Sequence, residues 1–289
     1  MQQYYLSTEA QNINQYQKGF EALKGSDIPV HVGAIYGLEI LAGAVPEWKT
    51  SILMGISASA VVFSHEPVEI GSSKISPDSE AALIVVSRAG ADSGEVKYPL
   101  AGGIFRGSKL PWAKLRGANL ESADLSGSDL YKSRFYEANL AFAQLNGANL
   151  AGADLSHARL LEARFCRGYN FAVPDLQVGI EVPTQLAGAK FESANLKGAW
   201  LVGANLDGAI FHGAVLSGAH LDGANLTDAD FKGSNTDGVT DVKTHYCRTK
   251  WSDGATRSND CSSDWSKAPP PEVACPPPIK LRFINSIAK

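Results

Sequence analysis

Cysteine and methionine are scarce in this chain, with four and two among 289 residues. No Cys-x-x-Cys pair occurs, and Cys247, Cys261 and Cys275 are too evenly spread for a zinc finger, so no structural metal is expected. Long apolar runs are missing too. None reaches the roughly 18–20 residues a membrane helix needs, and the nearest, Ile52–Phe63, is broken by Ser57 and Ser59. The opening MQQYYLSTEAQ lacks the basic start and apolar stretch of a secretory signal. The expectation is therefore a soluble protein of the cytoplasm. Charge of one sign is not in excess either: 26 Lys and Arg against 30 Asp and Glu leave a formal net charge of −4. That gives no basic footprint for nucleic acid. No Gly-x-Ser-x-Gly elbow and no His-Glu-x-x-His pair occur, and the six His are scattered, with His212 and His220 expected on an exposed surface. GGIFRGSK at 102–109 has no Lys directly after its second Gly and no helical pattern after it, so it is not read as a phosphate loop. The expected class is a non-enzyme with no cofactor.

What the chain does have is a period of five. Leu or Phe stands at every fifth position from Phe105 to Phe165 and again from Leu186 to Phe231. Two residues before each centre stands Ala, Ser, Gly or Thr. A strand repeats every two residues and a helix every 3.6, so five fits neither. Extended backbone does put residues i and i−2 on one side. If each unit forms one short flat face and then turns, one large and one small side chain point into a narrow tube. Asn, Asp or Arg between them then face water, and the frequent Gly two after the centre suits a corner.

The motif, seen in GANLESADLSG at 117–127 and GANLTDADFKG at 223–233, resembles the A(D/N)LXX unit of the pentapeptide-repeat family. That resemblance implies a mainly β fold: a right-handed quadrilateral β-helix, four units to a coil, here close to six coils plus whatever the gap contributes. Leu120, Leu150, Phe191, Leu206, Phe211 and Phe231 are its expected core, with Phe191, Phe211 and Phe231, twenty apart, stacked on one face.

Between the two runs, CRGYNFAVPDLQVGIEVPTQ (166–185) is expected to replace about one coil and add a residue. It reads as an irregular coil with a small loop or, functionally, as an interaction loop carrying Arg167, Tyr169, Phe171, Asp175 and Glu181. Cys166, beside it, is expected to be a free thiol.

Residues 1–97 are read as a small α-helical domain, 98–240 as the β-helix and 241–289 as a hairpin cap with a Pro-rich tail. Thr8 to Gln11 offers a capping box for the first helix. Asp27 and Pro29 suit the start of the second, whose apolar Ile28, Val32, Ile35, Leu38 and Ile40 follow helical spacing. A third helix is expected from Pro46 and a fourth near Asp78. YQKGFEALKGSDIPVHVGAIYGLEILAGAVPEWKTSIL resembles the helical segment that precedes the repeats in many bacterial pentapeptide-repeat proteins. There it commonly follows two transmembrane helices, which implies a membrane-associated complex. At the other end, THYCRTKWSDGATRSNDC reads as a hairpin around Asp253-Gly254. Cys247 and Cys261 stand symmetrically about Gly254, where a disulfide competes with two free thiols.

The functional expectation is a protein-interaction scaffold with an unidentified protein partner, a monomer being favoured over an oligomer. Some family members mimic DNA and protect gyrase from quinolones, which makes a topoisomerase-binding role the alternative. Residues 100–236 carry 13 acidic and 12 basic groups, far below the phosphate density of a duplex. An extracytoplasmic or secreted protein is the third reading, tied to oxidation of Cys247 and Cys261.

Overall fold

A computed structural model describes residues 2–65, 75–89, 97–169, 181–259, 261, 265 and 275. Its helices are α1 (Gln2–Ala22), α2 (Ile28–Ala44), α3 (Lys49–Ser64) and α4 (Pro77–Ala89), with a 3₁₀ turn over Pro46–Trp48 leading into α3. The capping box is not used, because α1 already begins at Gln2 and encloses Thr8. Asp27 does cap α2, its carboxylate accepting the Val30 N–H at 3.2 Å, with Pro29 in the first turn. The buried side of α2 is His31, Ile35, Leu38, Leu41 and Ala42, whereas Ile28 and Ile40 are exposed. A helix apolar around nearly its whole circumference does not announce its inner face; packing against α3 and α4 chose it. Asp78 lies inside α4 rather than capping it. Its carboxylate meets His31 Nδ1 at 2.8 Å, while His31 Nε2 meets the Gly25 carbonyl at 3.0 Å and the ring stacks on Phe63.

The five-residue period folds as expected from that point on. Single parallel bridges join residues twenty apart, from Pro99↔Asn119 to Asp230↔Lys250, so four units make one turn of the tube. Every centre from Leu100 to Phe231 is buried, including Leu120, Leu150, Phe191, Leu206, Phe211 and Phe231. Each corner is closed by an N–H to the preceding centre's carbonyl, as from Ala118 to Leu115 at 3.1 Å. Except after Phe165, where the repeat is interrupted, the residue two after each centre takes a left-handed backbone, which is why Gly is frequent there. Phe191, Phe211 and Phe231 stack nearly parallel, with centroids 4.8 and 4.4 Å apart.

The stack does not stop at 240, where the sequence expectation ended it. Trp251 lies 4.5 Å from Phe231, and Val215, His220, Asn225 and Asp230 all bridge to a further coil. The tube therefore has about seven coils. Within 241–259, β3 (Thr249–Lys250) pairs antiparallel with β4 (Thr256–Arg257), the expected hairpin, with Gly254 at φ 83°.

The interruption is also corrected. Asn149 bridges to Gln185, and Arg164 to Trp200, so consecutive coils stay in register across the gap. Residues 166–185 replace no coil. The repeat pattern stops after Phe165 and resumes at Leu186 on the next face, and between these points β1 (Gly168–Tyr169) pairs antiparallel with β2 (Glu181–Val182). A coil of different length in the stack would break the ladder of bridges, which instead runs on without a gap.

Where Ser or Thr replaces Ala at the small inward position, its hydroxyl has a fixed task. Ser128, Ser133, Thr244 and Thr249 donate to the carbonyls of Phe105, Leu110, Leu221 and Leu226, each in the neighbouring coil, at 2.6–3.0 Å. A buried hydroxyl without such an acceptor would be costly.

Candidate interaction surfaces

The helical domain sits over the open end of the tube. In the first coil the backbone N–H groups that would pair with an earlier coil belong to residues 99, 104, 109 and 114. Pro99 has none. Ile104 donates to Ser64 Oγ at 2.9 Å, Lys109 to Glu80 Oε1 at 3.3 Å and Lys114 to the Ser87 carbonyl at 2.9 Å. Ile75 N–H adds a bond to the Arg106 carbonyl at 3.2 Å. Unpaired strand edges are templates for aggregation, so the helices act as a cap.

Away from the tube these helices keep apolar side chains in solvent. Ile40 is 74% exposed, Leu6 62% and Val62 61%, with Ile28, Val30 and Tyr36 also exposed. A groove of about 320 Å³ between α1 and the start of α3 is lined by Ile13, Tyr16, Gln17, Trp48 and Ser51.

The two described ends of the inserted segment are held by hydrogen bonds. Thr184 Oγ1 accepts the Gly147 N–H at 2.9 Å and lies 2.6 Å from the Cys166 carbonyl. Asn146 Oδ1 accepts the Cys166 N–H at 3.0 Å. Gly147 and Gly168 meet so closely that a Cβ on Gly147 would lie 2.7 Å from the Gly168 carbonyl carbon. Of the residues expected to bind a partner, Arg167 is half-buried, and Tyr169 and Glu181 face each other in the β1–β2 pairing. Phe171 and Asp175 lie outside the described residues.

Cys247 and Cys261 form the disulfide the hairpin symmetry pointed to, their Cα atoms 5.0 Å apart. Cys166 is not a free thiol. It is bonded to Cys275, 109 residues away, at a distance in sequence that no local pattern reveals. Between them, Trp265 donates its indole N–H to the Gly223 carbonyl at 3.0 Å. Cys261, Trp265 and Cys275 are thus each joined to the tube, Cys275 at the residue that follows Phe165.

His212 and His220 are half-buried rather than exposed. His220 stacks on Trp200 with centroids 3.8 Å apart, and its Nδ1 meets Thr240 Oγ1 at 3.1 Å. The acidic groups of the last coils are compensated from within. Arg248 donates to Asp228 through Nε at 2.7 Å and Nη2 at 2.5 Å, and this hydrogen bonding holds the Asp228 carboxyl below its usual range. Desolvation pushes Asp230 upward, but hydrogen bonds from the Lys232 N–H, His212 and Lys250 outweigh it and leave its pKa lowered. Asp207 moves the other way, raised by burial and then by the nearby Asp228 charge. Burial and a hydrogen bond to Asp241 push the Tyr246 phenol well above its ordinary value. Among the described residues, no group of three or more His, Cys, Asp or Glu is placed to hold a metal, and no helix is long and apolar enough to cross a membrane.

Comparison with known proteins supports the repeat assignment. The Pentapeptide repeats family matches as eight copies at residues 100–131, 133–167, 184–208 and 201–235. No curated protein sequence matches the chain. Among solved structures, it is similar to HetL, a pentapeptide repeat protein involved in heterocyst differentiation regulation in Nostoc sp. strain PCC 7120. The two share 30% identity over 55% of this chain and 74% of HetL, with a TM-score of 0.42. Rfr23 from Cyanothece 51142 is 24% identical over 50% of this chain and 87% of its own, with a TM-score of 0.27. QnrB1, a plasmid-mediated fluoroquinolone resistance protein, is 22% identical over 49% of this chain and 74% of its own, with a TM-score of 0.26. With its eight matching copies and its twenty-residue bridge register, the chain belongs to the pentapeptide repeat family, whose fold is the right-handed quadrilateral β-helix.

Proposed function

We propose that this protein is a non-catalytic interaction scaffold, a stiff β-helical rod whose helical cap also docks a protein partner. The observation that carries the reading is α2. One side of it is buried against α3 and α4, and the other leaves Ile28, Val30, Tyr36 and Ile40 in solvent. Grouped apolar side chains on one element mark interaction surfaces more often than chance exposure does. The test is affinity capture from native lysate with the full chain and with an Ile28→Ser/Ile40→Glu variant. Proteins held by the first and lost by the second support docking through α2; identical captures from both overturn it.

The duplex-mimic alternative is weaker, because Asp124, Asp228 and Asp230 are each paired with a cation of the rod itself. Absence of any protection of gyrase supercoiling from a fluoroquinolone at excess protein would dismiss it. For the compartment, we infer an oxidising one in place of the cytoplasm. The reason is two disulfides with all four cysteines joined, since such bonds persist outside reducing cytosol.

A further inference from the structure

Trp112 sits at a corner position that Gly102, Gly107 and Gly117 fill in the neighbouring units, and its φ is 63°. A left-handed backbone is unfavourable for a bulky residue. No burial compensates, because the side chain is 61% exposed. On the next coil Tyr131, also exposed, meets the indole edge-on at 5.9 Å. Lys132 holds its ammonium 4.8 Å from the indole centroid and 5.2 Å from the phenol centroid. The corner on the other side of the same face repeats the theme. There the Arg116 guanidinium lies 4.6 Å over Tyr136, which meets His157 edge-on at 5.0 Å. Between the two corners stands Lys114, whose backbone N–H is bonded to Ser87 of the cap. Arg116 has Glu137 as a partner at 3.3 Å, whereas Lys114 and Lys132 have no carboxylate partner among the described residues.

We propose that this corner of the first two coils docks an acidic protein segment, a reading that rests on the scaffold function and adds a second surface to it. Trp112 and Tyr131 are the apolar anchors, and Lys114 and Lys132 pair with carboxylates flanking an apolar side chain of the partner. Tryptophan, tyrosine and cationic side chains are the residue types that carry most interface energy. A carboxylate approaching Lys132 from the ring edge leaves the cation–π contacts intact. Single-stranded nucleic acid fits less well. Base stacking needs free ring faces, and Lys132 occupies one face of the indole and one of the phenol.

The test uses the full-length protein and phage-displayed random dodecapeptides. Selected peptides are titrated against the protein and against Trp112→Gly and Lys132→Glu variants. Glycine suits the left-handed corner, so Trp112→Gly should keep or raise the melting temperature, which separates loss of binding from loss of fold. The expected result is enrichment of Asp and Glu beside apolar residues, with affinity falling about tenfold or more in each variant. Peptides without acidic enrichment, peptides that bind all three proteins equally, or no selected peptide at all would overturn the proposal. So would a fluorescent single-stranded oligonucleotide that binds and is released by Trp112→Gly. Partners lost on Ile28→Ser/Ile40→Glu while no peptide depends on Trp112 would sink this site and leave the scaffold function standing.

Discussion

The Ser64 hydroxyl, on the last turn of α3, accepts the amide N–H of Ile104 at 2.9 Å, in the place where the carbonyl of a preceding coil would stand. With Glu80 and Ser87 serving Lys109 and Lys114, and with Pro99 bringing no N–H, the N–H groups of the first coil's outer edge are all accounted for. Removing residues 1–96 should therefore yield a rod that self-associates, seen as early elution in size-exclusion chromatography. A monomeric, fully folded 97–289 fragment would show that the helices are dispensable to the tube. Ser64→Ala in the intact chain should cost about 1 kcal/mol, read by thermal or urea unfolding.

Phe211 lies between Phe191 and Phe231 with its ring parallel to both. Phe211→Ala opens the middle of that ladder and should cost about 3–5 kcal/mol. Leu206→Asp places a carboxylate in the same core with no partner and should cost several kcal/mol, enough to abolish the cooperative melt. A variant that melts like the parent would contradict the burial of that face.

Asn205 looks replaceable from the repeat pattern alone, as a water-facing residue. In the structure it is a rung: its Nδ2 donates to Gln185 Oε1 at 2.9 Å, and its Oδ1 accepts from Asn225 Nδ2 at 3.0 Å. Asn205→Asp removes the first of these donors and should cost about 1 kcal/mol. Asp207→Asn should do the opposite. The Asp207 pKa is raised in the fold, so its charged form is disfavoured there. Neutralising it should leave stability unchanged or slightly higher at pH 7, by comparison of urea midpoints.

Reduction should loosen the C-terminal part in two steps. Mass spectrometry after alkylation should find no free thiol in the untreated protein and four after reduction. In the chain-entropy account, closing the 14-residue and 109-residue spans stabilises by about 3 and 4.7 kcal/mol, respectively. Cys166→Ser/Cys275→Ser should free the tail while the hairpin stays closed, measured as faster amide exchange around Trp265 than around Trp251.

The last coil and its hairpin should weaken in acid. Asp228 and Asp253 have lowered pKa values, held by Arg248 and by the Ala255 N–H in turn. Each binds fewer protons folded than unfolded. Their stabilisation is therefore present above about pH 4 and is lost as pH falls through the folded values. Both groups are exposed, so the effect is small. It should appear as loss of protection at Thr249 and Lys250 below pH 4 before the central coils lose theirs. Uniform loss along the rod would contradict it.

The amino-acid sequence by itself determined the tube. A five-residue period is local: each unit carries its inward pair, its outward residue and its left-handed corner. The inward positions, the corners and the Asp253-Gly254 hairpin were therefore legible, and resemblance to the repeat family supplied four units to a coil and with it the Phe191–Phe211–Phe231 ladder. Only tertiary structure decided the rest, because it depends on groups far apart in the chain. Which face of α2 is buried was set by α3 and α4. Whether residues 166–185 stand in for a coil was decided by the bridge between Asn149 and Gln185. The partner of Cys166 was set by the approach of Cys275, 109 residues away in the chain. The sequence marks Trp112 only as a large residue at a corner. Its place beside Tyr131 and Lys132 exists because each turn of the tube brings residues twenty apart into contact.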